Sequence, residues 1–149
     1  MHIAEGVLSA PVLITGAVVA AGAVAYGLKK LDPRQVMMAA ILGAAFFVAS
    51  LIHIPVGPSS VHLLLNGLLG VLLGWSAVPV IFVGLLLQAI LYGFGGLTVL
   101  GVNTATMGLG AVLSWYIFGG LLSVLKPLGA KKAAAVSGFV SGACGVAIA

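Results

Sequence analysis

Long apolar runs, broken by short clusters of charged, proline-containing or glycine-rich sequence, divide the chain into six segments. The first runs from about Val7 to Leu28 and stops at Lys29-Lys30-Leu31-Asp32-Pro33-Arg34. The second runs from about Val36 to Ile52 and ends before Pro55-Val56-Gly57-Pro58, where a helix cannot continue. The third runs from about Ser60 to Trp75 and the fourth from about Pro79 to Tyr92. Both are short against the ~20 residues a membrane-crossing helix needs, so one of them is expected to be tilted or broken. A glycine-rich loop, Gly93 to Asn103, leads to a fifth run from about Thr104 to Leu125 and a sixth from Ala133 to Ala149.

Composition decides what solvent these runs face. Of 149 residues, 62% are hydrophobic and 5% charged, where a water-soluble domain carries about 25% charged residues. Two acids and six bases cannot make a water-facing surface, so the surrounding medium is lipid. The backbone must then satisfy its own hydrogen bonds. The runs are continuous, without the alternation of barrel strands. The expected fold is therefore an all-α integral membrane protein, a polytopic bundle of six transmembrane helices forming one domain over residues 1–149.

Charge sets the expected topology. All six bases fall in two clusters, Lys29-Lys30-Arg34 and Lys126-Lys131-Lys132. These flank apolar spans and read as topology determinants, not as a nucleic-acid surface. Counting spans puts both clusters on one side, which the positive-inside rule makes the cytoplasm. The N-terminus, the His53–Ser60 loop and the Gly93–Asn103 loop then share the outer face. The first run is not expected to be a cleaved leader: Glu5 precedes it and the lysines follow it, the reverse of a signal peptide's order. The last run ends in apolar sequence, so either the protein ends at the membrane surface or a further helix belongs to it.

Small residues recur at four-residue spacing in Gly70–Gly74, Gly138–Gly142, Ala40–Ala44 and Ala45–Ala49. Such stripes allow close helix approach, within the chain or against a partner. The lone Cys144 is a small packing residue, since one cysteine makes neither a disulfide nor a Cys-based zinc site within the chain. Gln88 lies mid-span and is expected to bond a neighbouring helix.

The candidate chemistry lies at the outer face. The three histidines are His2, His53 and His62. A histidine at position two places the Met1 α-amine, the His2 backbone amide and the His2 ring in sequence. Amine and amide close a five-membered chelate; amide and Nδ1 close a six-membered one. Three fused nitrogens favour the square-planar geometry of Ni(II) and Cu(II), and Co(II) can be held similarly. His62, near the outer end of the third helix, is the candidate fourth donor. Asn103 is placed to hydrogen-bond a ring N–H and fix its tautomer. His53, Ser59 and Ser60 are lesser supporting candidates. Glu5 reads as a first-turn acid favoured by the helix dipole rather than as a ligand. None of these residues forms a nucleophile–base pair, and a four-coordinate site has no open position, so no enzymatic activity is expected.

Met1-His2-Ile3-Ala4-Glu5-Gly6, the stretch Ile52 to His62 with its Ser59-Ser60-Val61-His62 segment, and Gly101-Val102-Asn103-Thr104 together resemble the CbiM/NikM family. These are substrate-binding S components of energy-coupling factor cobalt and nickel transporters. The resemblance covers essentially the whole chain. It implies metal ligation by Met1, His2 and His62. It also implies a bacterial or archaeal cytoplasmic membrane, a transmembrane coupling subunit, two ATP-binding subunits and a small accessory membrane subunit. Co²⁺, with Ni²⁺ second, would be the transported substrate and no permanent cofactor is implied. In related S components a small-residue stripe on an early helix meets the coupling protein, a role that falls to Ala40 and Ala44. Family members usually have seven spans, one more than the six read here. The alternatives are an ATP-independent channel or secondary transporter, for which intramembrane charge would be expected, and a membrane anchor subunit.

Overall fold

The structure, a computed structural model, describes residues 3, 5–56, 59–62, 65–125, 127 and 129–148, with the side chains of 53–56, 59–62 and 148 left aside. Helix α1 (Ala10–Lys30) starts after Ser9 with Pro11 in its first turn, where a missing N–H costs nothing. It ends with Lys29 and Lys30 in the last turn, cations at the negative end of the helix dipole. Asp32 accepts from the Arg34 N–H at 2.8 Å and starts a single 3₁₀ turn, Pro33–Gln35, that feeds α2 (Val36–Leu51). Next come two short strands, β1 (His53–Val56) and β2 (Ser59–His62), then α3 (Asn66–Leu73), a 3₁₀ turn (Gly74–Ser76), α4 (Ala77–Tyr92), α5 (Leu100–Leu125) and α6 (Ala130–Ile148).

Close approaches show the direction of each helix. Ile3 and Glu5, ahead of α1, meet Asn103 and Thr98 at the start of α5. Further along, Val19 and Ala23 share a cavity with Thr106, Leu109 and Val112. Helices α1 and α5 therefore run parallel, approaching closely at Gly16–Val102 and Gly101–Ala17. Gly43 faces Val80, Gly84 faces Phe46, and Gln88 reaches Ser50, so α2 and α4 run parallel. Gly138 faces Phe118 and Gly145 faces Gly110 and Ser114, so α5 and α6 are antiparallel. Residues 66–92 form an apolar stretch of 27 residues, long enough to cross a bilayer in one pass, but the chain turns back within it. Gly70 lies against Ala111 and Gly74 against Trp115, whereas Gly108, further back along α5, faces Val78. The turn uses Gly74 at φ +56°, in the left-handed region open to glycine. The expected third and fourth spans are thus two helices. The third is only 8 residues, Asn66–Leu73, about 12 Å long.

Helices α1, α2 (with its 3₁₀ turn) and α5 are each long and apolar enough to cross a membrane, as is the α3–α4 stretch. The helical bundle stands as expected, with four such membrane-capable stretches among the described residues where six spans were read, and with one correction to the third helix. The third span was expected to be helical from about Ser60. Instead, residues 59–62 pair antiparallel with 53–56, setting His53 opposite His62, Ile54 opposite Val61, Pro55 opposite Ser60 and Val56 opposite Ser59. Prolines at 55 and 58 disfavour helix in this stretch, and among the described residues the next helix begins at Asn66.

The core lies where α2, α3, α4 and α5 meet: Phe46, Leu69, Leu73, Ala77, Ile81, Leu85, Met107 and Ala111. Polar side chains tie helices together across it. Ser114 Oγ donates to the Ser141 carbonyl at 2.9 Å, joining α5 to α6, and Asn66 Nδ2 donates to the Gly145 carbonyl at 3.0 Å, joining α3 to α6. Gln88 Nε2 donates to Ser50 Oγ, joining α4 to α2 as the sequence led one to expect. In lipid such bonds have no water to compete with, and each contributes about 0.6–2 kcal/mol.

Candidate functional site

The helix directions give the molecule two unlike ends. One carries the ends of α1 and α2 that hold Lys29, Lys30 and Arg34, the Gly74–Ser76 turn, and the start of α6 with Lys131 and Lys132. Its aromatic side chains interlock. Tyr26 meets Trp75 edge-on at 4.9 Å and Trp115 meets Tyr116 at 4.8 Å. The Lys30 ammonium stands 5.6 Å from the Tyr26 ring centre. Amphipathic rings beside lysines mark a membrane–water interface.

The opposite end gathers the N-terminal segment, the β1–β2 hairpin and the loop between α4 and α5. Here Asn103 is the best-defined element. It is 2% exposed and lies in the first turn of α5, which begins at Leu100, four residues before the expected Thr104. Its Oδ1 accepts from the Ile3 N–H at 2.9 Å, and its Nδ2 donates to the Ile3 carbonyl at 3.3 Å. One carboxamide thus holds both polar groups of one backbone residue, as a β-ladder partner would. Sequence reasoning gave Asn103 a histidine ring as partner; all three histidine rings lie outside the described side chains, and the partner among the described residues is the backbone of residue 3.

Glu5 is a second fixed point. It lies in a turn ahead of α1, not in the helix's first turn as expected. Its Oε1 accepts from the Thr98 N–H at 3.2 Å and from Thr98 Oγ1 at 3.0 Å. Gly96, at φ +100°, lies directly beside it: a Cβ there would be 2.2 Å from the Glu5 Cγ and Cδ.

The remaining expected site residues fall as follows. Met1 and His2 lie outside the described residues, immediately before the anchored Ile3. His62 lies on β2, directly across the ladder from His53 on β1, not on a helix as expected. Ser59 and Ser60 lie on the same strand as His62, opposite Val56 and Pro55. The hairpin leaves α2 at the Ser50–Gln88 level and delivers the chain to Asn66. Ala40 and Ala44 are exposed at the other end of α2. They line an apolar groove of about 430 Å³ with Leu28, Val80, Val83 and Leu87.

Sequence reasoning missed three participants. Thr98 was absorbed into a glycine-rich loop. Glu5 was given a helix-dipole role. Asn66 was read as part of an apolar run, although a lone amide there is the same signal that singled out Gln88. Asn66 is fully buried, and its Oδ1 has no hydrogen-bond partner among the described residues.

A polytopic helical bundle with its N-terminal segment pinned to one end defines a class of membrane protein with a structured surface site. Residues 2–149 match the model of the CbiM family, the cobalt uptake substrate-specific transmembrane region, and the chain belongs to that family. Its relatives are named for metal transport. A Haemophilus influenzae protein of that description is 46% identical over 146 residues, covering 98% of this chain and 69% of the relative. The fused nickel transport protein NikMN of Rhodobacter capsulatus is 38% identical over 116 residues, 72% of this chain and 33% of the relative. A cobalt transport protein CbiM of Pelobacter propionicus is 42% identical over 117 residues, 73% of this chain and 52% of the relative. The chain thus spans between about a third and two thirds of the length of these relatives. A crystal structure described as a truncated transition metal transporter superimposes with a TM-score of 0.71 at 27% identity, over 97% of this chain and 70% of that one. A second transition metal transporter gives 0.68 at 25% identity, over 97% and 66%.

Proposed function

We propose that this chain is the substrate-capturing S component of an ATP-driven importer and that it binds Co²⁺, or Ni²⁺ as the close second, through its own N-terminus. The donors are the Met1 α-amine, the His2 amide and ring Nδ1, and the ring of His62. The observation that carries this reading is the Asn103–Ile3 clamp. It holds the backbone one residue beyond the chelating pair and so limits where Met1 and His2 can reach. Four nitrogens suit square-planar Ni(II); the cobalt preference rests on the family and on the Pelobacter propionicus relative's name. The hairpin register, with His53 opposite His62 and with Ser59 and Ser60 on the strand of His62, supports a role for these three in hydrogen-bonding the donors.

Transport needs partners. A transmembrane coupling subunit and two ATP-binding subunits would drive the cycle, with a small accessory membrane subunit, and hydrolysis would belong to them. The Ala40–Ala44 face, exposed along an apolar groove, is the candidate contact for the coupling subunit. The positive-inside rule places the N-terminus outside and the basic end in the cytoplasm.

The test compares Ni²⁺ and Co²⁺ binding by the purified chain, by His62→Ala, and by protein with one residue added before Met1. Both changes are expected to weaken binding at least a hundredfold, because each removes a donor, and to abolish the planar d–d spectrum. Unchanged affinity and spectrum in the extended protein would show that the N-terminal amine is not a ligand.

A further inference from the structure

The N-terminal arm is held at two points that a chelate does not require. Both points lie on one short stretch, Gly96 to Asn103. The Asn103 carboxamide takes both backbone groups of Ile3, and Thr98 offers two donors to a single oxygen of Glu5. The surrounding loop is shaped for the second contact. Gly93, Gly95 and Gly96 all have positive φ, and at Gly96 any side chain would occupy the space of the Glu5 carboxylate stem. A charged acceptor with two donors is stronger than a neutral hydrogen bond, and Glu5 meets them at the membrane end, where it is exposed. Asn103 is buried.

We infer that Glu5, Thr98 and Asn103 are positioning residues, which latch the N-terminal arm onto the start of α5 and preorganise residues 1 and 2 for metal. This deepens the proposed N-terminal chelate and rests on it. The physical argument is entropic. A free arm must be ordered when metal arrives, and that ordering subtracts from affinity; an arm already pinned at residues 3 and 5 has lost most of its freedom beforehand. The two pins differ in kind. The buried Asn103 clamp sets the position of the arm. The exposed Glu5–Thr98 contact is weakened by competing water and opens first, freeing the arm to pivot about the Asn103 clamp, so its loss is expected to speed metal release.

The inference has a readout that involves no metal. Amide hydrogen exchange of the N-terminal peptide is measured in the purified, metal-free full chain for Glu5→Ala, Thr98→Val, Thr98→Ser and Asn103→Leu, followed by Ni²⁺ affinity and dissociation rate. In Glu5→Ala and Thr98→Val the exchange of residues 3–6 is expected to speed up roughly tenfold, with exchange in the helices unchanged and Ni²⁺ dissociation faster by a similar factor. Thr98→Ser keeps both donors and is expected to stay within about twofold of the native protein. Asn103→Leu is expected to give the larger loss of protection and of affinity. Unchanged exchange in all three disrupting variants overturns the latch, and faster exchange without any change in metal affinity or dissociation overturns the preorganisation of residues 1 and 2. If the protein extended before Met1 binds metal normally while the arm loosens in these variants, the chelate is refuted and the latch stands as an anchor of the arm.

Discussion

At the scale of single residues, the bundle depends on positions where no side chain fits. A Cβ at Gly70 would lie 1.9 Å from the Ala111 carbonyl oxygen, which is backbone and cannot move without separating α3 from α5. Gly22, in the middle of α1, has nothing within 4 Å of the same position. The two glycines therefore predict opposite outcomes. Gly70→Ala should destabilise the protein by about 1–3 kcal/mol through overpacking. Gly22→Ala should be neutral or stabilising by up to about 1 kcal/mol, since alanine is the better helix former. Thermal unfolding of the two variants in detergent checks this, and equal shifts would mean that the α3–α5 contact is looser than described. The carboxamides follow the same logic. Asn66, Gln88 and Asn103 are each buried to 2% exposure or less, and each links segments that the sequence separates by tens of residues.

Among the elements, the departure from an all-helical reading falls where the candidate chemistry is densest. The β1–β2 hairpin replaces the outer turns of the expected third helix. Non-helical backbone at the membrane is tolerated when its polar groups pair within the protein, and the antiparallel ladder supplies that pairing. Helix α2 has a different division. Ala39, Phe46 and Ala49 face the core, while Ala40 and Ala44 remain exposed along the groove with α4. If that groove receives a transmembrane partner, Ala44→Trp should block assembly with the coupling subunit while leaving metal binding by the isolated chain intact. Co-purification with the partner subunits and metal titration of the same preparation measure the two effects. Assembly and transport unaffected by the tryptophan would remove α2 as the contact.

For the molecule as a whole, the arrangement is a separation of ends. Among the described residues the bases Lys29, Lys30, Arg34, Lys131 and Lys132 lie at one end, and the hairpin, the Glu5–Thr98 contact and the Asn103–Ile3 clamp lie at the other. The inside excess of lysine and arginine then predicts which end faces the cytoplasm. In a Cys144→Ser background, Leu97→Cys should react with a membrane-impermeant maleimide on intact cells. Arg34→Cys should react only after permeabilisation. The reverse pattern would invert the proposed orientation and place the metal site inside.

The lipid environment, the helical spans, the segregation of charge and the residues of interest at 1, 2, 62 and 103 can all be read from order and composition. These depend on long apolar runs and on local chemistry, and both survive without knowledge of packing. The sequence pattern could not show that residues 59–62 form a strand, because a short apolar run reads alike as helix or strand and only pairing with 53–56 distinguishes them. Nor could it reveal the partner of Asn103. That partner is a backbone residue 100 positions away, and Glu5 meets Thr98 across 93. Contacts of that separation depend on how α1 and α5 lie side by side, and the Gly16–Val102 and Gly101–Ala17 approaches set that arrangement. Tertiary packing thus anchors Ile3, the residue immediately after His2 in the sequence, to the first turn of α5.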